Sequence, residues 1–118
     1  MRDFRKYEIW LKAIEIVDDI YGYTKNFPKN EIFGLSNQIQ RAAVSIPSNI
    51  AEGASRESES DFARFLEIAL GSACEVETQI VIAHRRNYIS SQENQNILTK
   101  LHSIEKQLAG LIKTLRHK

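Results

Sequence analysis

Apolar residues return at steps of three and four through almost the whole chain, and only a few short stretches interrupt them. That period is the period of an α-helix with one face turned to a core. Two prolines and five glycines punctuate the 118 residues. The spacing therefore predicts four long helices. The first runs from about Arg5 to Lys25, with Tyr7, Trp10, Ile14, Val17 and Tyr21 as its stripe. Asn26-Phe27-Pro28-Lys29-Asn30 stops it, because proline has no amide proton to continue the ladder and disfavours helical geometry before it. The second follows Gly34, carries Leu35, Ile39, Ala42, Ile46 and Ile50, and is expected to end at Gly53 as a left-handed cap. Pro47 lies inside it. The apolar phase continues unchanged past the proline, so a kinked helix is expected and not two separate ones.

The third helix opens at Ser58-Glu59-Ser60-Asp61, which resembles a capping box, and its stripe is Phe62, Leu66, Ala69, Ala73, Val76, Ile80 and Ala83. It should end near Asn87. The fourth opens at Ser90-Ser91-Gln92-Glu93, a capping box in the strict sense, and carries Ile97, Leu101, Ile104, Leu108, Leu111 and Leu115. No strand-like alternation of useful length competes. Short connections between long helices favour antiparallel neighbours, so the expected fold is all-α, an antiparallel up-down-up-down four-helix bundle in one domain over residues 1–118.

Two of the stripes are too broad for one core, which needs an apolar arc of roughly 100°. On the third helix Ala63, Leu70, Cys74 and Val81 widen the arc on one side and Phe65 on the other, while Ile68 and Ile82 lie on the back. On the first, Ile9, Leu11, Ile16 and Ile20 fall beyond the main line. Surplus apolar surface of this kind marks a partner surface, and a homo-oligomer using the first and third helices is expected. Cys74 is the one cysteine, which rules out an intrachain disulfide, and beside Ala73 and Val76 it reads as a small core hydrophobe.

The formal net charge is +1, against the strongly basic balance usual for a dedicated nucleic-acid binder. The basic residues are uneven, however: Lys100, Lys106, Lys113, Arg116 and Lys118 outnumber Glu93 and Glu105 after Ser90. Lys106, Lys113 and Arg116 are the residues of that segment expected to meet nucleic acid, the alternative being a solvated helix face. No apolar run approaches the ~20 residues of a membrane span, and the N-terminus carries no signal-peptide pattern, so a cytoplasmic protein is expected.

Polar residues on the middle helices form patterns too. Arg41, Ser45, Ser48 and Glu52 share a face at helical spacing, with Asn49 between that face and the core. Glu52 is too far along the helix to meet Arg41, so a neighbouring helix or subunit would have to supply a partner for the guanidinium. Glu77 and His84 project within the apolar arc of the third helix, where an isolated carboxylate is costly and should be paired or protonated. They could form a structural polar link or the centre of a metal or small-molecule enzyme. No Glu-x-x-His pair of the di-iron bundle type precedes any histidine, and no P-loop, dinucleotide-binding turn or nucleophile elbow is present. No catalytic residue, metal ligand or cofactor site is expected.

Three runs go further. Phe4 to Ala13 holds an F-x-x-Y-x-x-W-x-x-A pattern, Ala42 to Gly53 reads AAVSIPSNIAEG, and Ala69 to Gln79 reads ALGSACEVETQ. Together they resemble the 23S rRNA-intervening-sequence proteins, over nearly the whole chain. That resemblance implies a four-helix bundle, assembly as a homopentamer, and no catalytic residues. A related branch comprises the accessory proteins of diversity-generating retroelements, basic rings that bind nucleic acid and a reverse transcriptase. The matching positions are Arg41, Ser45, Asn49 and Glu52 on the second helix and Gly71, Ser72, Glu75, Glu77 and Thr78 on the third, for packing, assembly or ligand contact. The near-neutral charge departs from the basic branch. The expected function is a non-catalytic oligomeric adaptor that contacts RNA or an RNA-binding partner, with direct nucleic-acid binding through the fourth helix as the alternative.

Overall fold

The computed structural model describes residues 2–117, so Lys118 of the expected basic set lies outside them. After a short 3₁₀ turn at Phe4–Lys6, the chain forms α1 (Glu8–Thr24), a second 3₁₀ turn (Lys29–Glu31), α2 (Leu35–Ala54), α3 (Glu59–Arg85) and α4 (Ser91–Arg116). The described residues contain no strand. Neighbouring helices meet in a register in which residue numbers rise along one as they fall along the other. Ser45 of α2 meets Ser72 of α3, and Gly53 meets Phe62 and Phe65. Between α3 and α4, Glu67 meets Arg116, Glu77 meets His102 and His84 meets Ser91. Lys12 and Asp19 of α1 meet Ser103 and Lys100 of α4. This is the packing of antiparallel neighbours around a ring, with α1 and α3 at opposite corners and no close backbone approach between them.

The caps explain the boundaries. Ser58 Oγ accepts the amide of Asp61 at 3.0 Å at the start of α3. Ser90 and Glu93 form the full reciprocal box at the start of α4, at 3.1 Å and 2.9 Å. α3 ends where Asn87 turns left-handed, with φ of 62°. The amide of Tyr88 then reaches back to the carbonyl of Ala83 at 2.9 Å, a Schellman-type closure that asparagine tolerates. α2 has a cap that its own sequence does not announce: the Glu31 carboxylate accepts the amide of Leu35 at 3.1 Å and the Tyr88 hydroxyl at 2.9 Å. These donors hold the Glu31 carboxyl below its usual range, the Leu35 amide first.

Three expectations are corrected. The core line of α1 is Ile9, Ala13, Ile16 and Ile20, one residue out of phase with the predicted stripe. Trp10, Ile14 and Val17 are half-buried and Tyr21 is exposed. Apolar residues occupy adjacent positions along this helix, and the compact isoleucines pack inward while rings with a polar edge stay at the rim. α1 also starts later than expected, because Tyr7 is extended, with φ of −76° and ψ of 127°, and its ring stacks on Phe62. Cys74 is exposed and not a core residue. It lies off the buried line formed by Ala69, Ala73, Val76 and Ile80, because one step from Ala73 turns the side chain by ~100°.

The third correction is Gly53. It lies inside α2, and no glycine among the described residues has positive φ. A Cβ there would meet Phe65 Cβ at 2.8 Å and Phe62 Cδ1 at 3.0 Å, so the glycine permits close approach of α2 to α3. α2 itself runs without interruption through the buried Pro47. Near the proline, Asn49 Nδ2 donates to the Ser45 carbonyl at 2.8 Å.

Two glycine substitutions should therefore act with opposite signs. Gly53→Ala should destabilise the protein by about 1–3 kcal/mol through overpacking. Gly110→Ala, in the exposed interior of α4 with open space around it, should stabilise by up to about 1 kcal/mol. Urea unfolding followed by circular dichroism measures both.

Candidate functional site

The polar residues singled out from the sequence separate into three places. The first is an open groove between α2 and α3, lined by Asn37, Gln38, Arg41, Ser45, Ser72 and Glu75. At its floor the Ser45 and Ser72 hydroxyls lie 2.8 Å apart. Asn49 Nδ2 also donates to Ser45 Oγ at 2.9 Å, so Ser45, Asn49 and Ser72 form one network across the two helices. Arg41 stands exposed at the rim, near Glu75, whose carboxylate accepts from Gln79 Nε2 at 3.3 Å. Glu52 is not part of this groove: it pairs with Arg56, just past the end of α2, at 3.7 Å. Thr78 is also elsewhere, its hydroxyl bonded to the carbonyl of Cys74 at 2.9 Å.

The second place is a half-buried cluster between α3 and α4. Glu77 does not meet His84, which instead lies 3.3 Å from Ser91 Oγ near the turn. Its partners are His102 and Glu105 of α4. His102 Nε2 is 3.3 Å from Glu77 Oε2, and the donor atoms of all three residues lie within 4.8 Å of one another. Burial, and then the contact with Glu77, push the Glu105 carboxyl up to about 7. Glu77 is held below its usual range, first by Glu105 and also by His102. As two carboxylates the pair has no donor between them, and a proton on Glu105 supplies one. Desolvation also raises the Cys74 thiol, with both carboxylates adding to the effect, so this exposed cysteine is not activated as a thiolate. Sequence reasoning missed His102 and Glu105. They sit three apart on one face of α4, a His-x-x-Glu order opposite to the Glu-x-x-His pattern that was sought.

The third place is the outer face of α4. Lys106 and Lys113 are exposed and seven residues apart, on one face. Arg116 is engaged in a two-point pair with Glu67, at 2.6 Å and 3.2 Å, and this pair depresses the Glu67 carboxyl. Lys100 is held by Glu15 at 2.7 Å and by Asp19 at 2.6 Å. Two of the expected basic residues thus close the bundle and do not face outward alone.

A four-helix bundle with polar clusters on its helix seams is the class of protein that fold and sites define. A model of the 23S rRNA-intervening sequence proteins matches residues 5–110, and the chain belongs to that family. A crystal structure of a protein of unknown function from the S23 ribosomal protein family of Bacteroides thetaiotaomicron is similar, with a TM-score of 0.81 and 31% identity. The match covers 89% of this chain and 95% of that one. Among curated proteins, none matches. No helix among the described residues is long and apolar enough to cross a membrane.

The carboxyl pair gives stability a pH dependence of known sign. Stability tied to the Glu105 proton is complete below about 4.5 and is lost as pH rises through about 7. The lowered Glu77 acts the other way and loses its contribution only in more acidic solution. The thermal midpoint tied to this group should fall between about pH 4.5 and 7, and Glu105→Gln, which keeps a donor without a titrating proton, should flatten that fall. Differential scanning calorimetry across the range measures it.

Proposed function

We propose that this protein is a non-catalytic adaptor that assembles with copies of itself and, in the assembled form, contacts RNA or a ribonucleoprotein partner. The observation that carries the assembly is the placement of the apolar residues the core leaves outside. One patch is a groove on the α1–α2 seam, where Val44 is exposed and Trp10, Ile14, Val17 and Ala51 are half-buried. Leu11 and Tyr21 continue α1 into solvent, 53% and 45% exposed. The other patch is the outer face of α3, where Ile68 and Ile82 are each more than two-fifths exposed, with Val81, equally exposed, on the flank. Two different patches, one including the α1 corner and one on the opposite α3 corner, suit a head-to-tail contact. Repeated head-to-tail contact closes into a ring when the rotation allows it. Five subunits is the number that the family resemblance supports.

The polar groove carrying Arg41 and Glu75 adjoins the outer face of α3, and a neighbouring subunit would supply partners for both. Direct nucleic-acid contact through α4 is the second reading, and the paired spacing of Lys106 and Lys113 favours it. With Arg116 engaged by Glu67, that face offers few phosphate contacts, so the affinity expected of one subunit is weak and a ring must multiply it.

Single charges should separate these readings. Val44→Glu on one patch or Ile82→Glu on the other should each reduce the assembly to folded monomer, read by light scattering and circular dichroism. An undiminished oligomer in both variants would remove these patches as the interface. Lys106→Glu with Lys113→Glu should weaken binding to structured RNA and lower the slope of log affinity against log salt by about one to two. Filter binding at several salt concentrations measures it, and an unchanged slope would clear α4 of that role.

A further inference from the structure

We propose that Glu77, His102 and Glu105 form a binding site for one divalent transition-metal ion of the zinc class, joining α3 to α4. The argument begins with donor chemistry. Two carboxylates and one imidazole are a ligand set for borderline ions such as Zn²⁺, Co²⁺ or Fe²⁺, whereas Mg²⁺ and Ca²⁺ prefer oxygen alone. Three protein ligands also leave room for water, as in open zinc sites.

Geometry agrees with that chemistry. A tetrahedral ion with bonds of about 2.0–2.2 Å holds neighbouring donors roughly 3.3–3.6 Å apart. His102 Nε2 and Glu77 Oε2 are 3.3 Å apart, and all three donor atoms fall within 4.8 Å, so small rotamer adjustments close the set. The residues come from two packed helices, and His102 and Glu105 lie three apart on α4, where i and i+3 side chains share a face.

A separate observation points to a missing partner. Glu105 Oε2 has less than 1 Å² of exposed surface and no hydrogen-bond partner. An enclosed carboxylate oxygen beside a second carboxylate needs a proton or a cation, and an imidazole nitrogen at the same point favours a metal over a proton alone. His102 is 59% exposed in its side chain, which gives an ion a route from solvent. The site does not depend on the assembly and stands or falls apart from it.

The test uses the untagged full chain, stripped with chelator and dialysed. Titration calorimetry with Zn²⁺ should show one ion per chain and a raised thermal midpoint, and Co²⁺ should give the visible absorption of a tetrahedral nitrogen–oxygen site. Mg²⁺ should give neither. His102→Gln, at an exposed position where folding is not at risk, should weaken Zn²⁺ affinity by at least about tenfold. Glu105→Gln should do the same, with helical circular dichroism unchanged in both. No Zn²⁺ uptake by the wild type would overturn the proposal and leave the carboxyl pair sharing a proton. Wild-type affinity in His102→Gln would overturn it too, by placing the ion elsewhere.

Discussion

Close approach of α2 to α3 is the constraint on which the rest of the bundle depends. Gly53 lies against Phe62 and Phe65 where no side chain would fit, and the Ser45 and Ser72 hydroxyls meet at 2.8 Å further along the same seam. Ala42, Ala43, Ala69 and Ala73 are buried on these two helices. Small residues let two backbones come near, and the larger chains then have to fill the remaining side of the core. Ile16 and Ile20 of α1 and Ile97, Leu101, Ile104 and Leu108 of α4 do so, all fully buried. The same economy of volume explains why a polar network can sit at the seam: two hydroxyls and one amide satisfy each other there, which removes the cost of burying them singly.

Much of this was legible in the sequence, and the failures have physical causes. α3 buries the whole line that its periodicity predicts, and α2 and α4 bury theirs except at the ends, where Leu35, Leu111 and Leu115 are half-buried. α1 does not, since Ile9 and Trp10, Ile16 and Val17, and Ile20 and Tyr21 offer two phases side by side. Periodicity cannot choose between adjacent lines; packing volume and the polar edges of Trp and Tyr decide. Gly53 looked like a terminator because composition alone cannot tell a glycine needed for its dihedrals from one needed for its missing side chain. The Glu31 cap on α2 was invisible for a related reason, as it depends on a loop and on Tyr88 from beyond α3.

The candidate sites divide along the same boundary between local and long-range information. Arg41, Ser45 and Glu75 do converge on one groove, as their helical spacing allowed. Glu77 was recognised as an uncomfortable carboxylate, yet its partners lie on α4, 25 residues away for His102. No spacing rule on α3 could reach them. The basic C-terminal segment shows the reverse error. Counting charges overstated it, because Lys100 and Arg116 are spent on holding α4 against α1 and α3. With those two engaged, Lys106 and Lys113 are the residues of that segment left facing outward, and the proposed order, assembly first and RNA contact second, rests on that.

Native mass spectrometry of the untagged wild-type protein, at tens of micromolar and moderate salt, tests that account most directly. It predicts one closed assembly of several copies, five by family resemblance, with no ladder of open chains. A folded monomer across that range would contradict it, and would mean that the α1–α2 groove and the outer face of α3 stay in water without a partner copy.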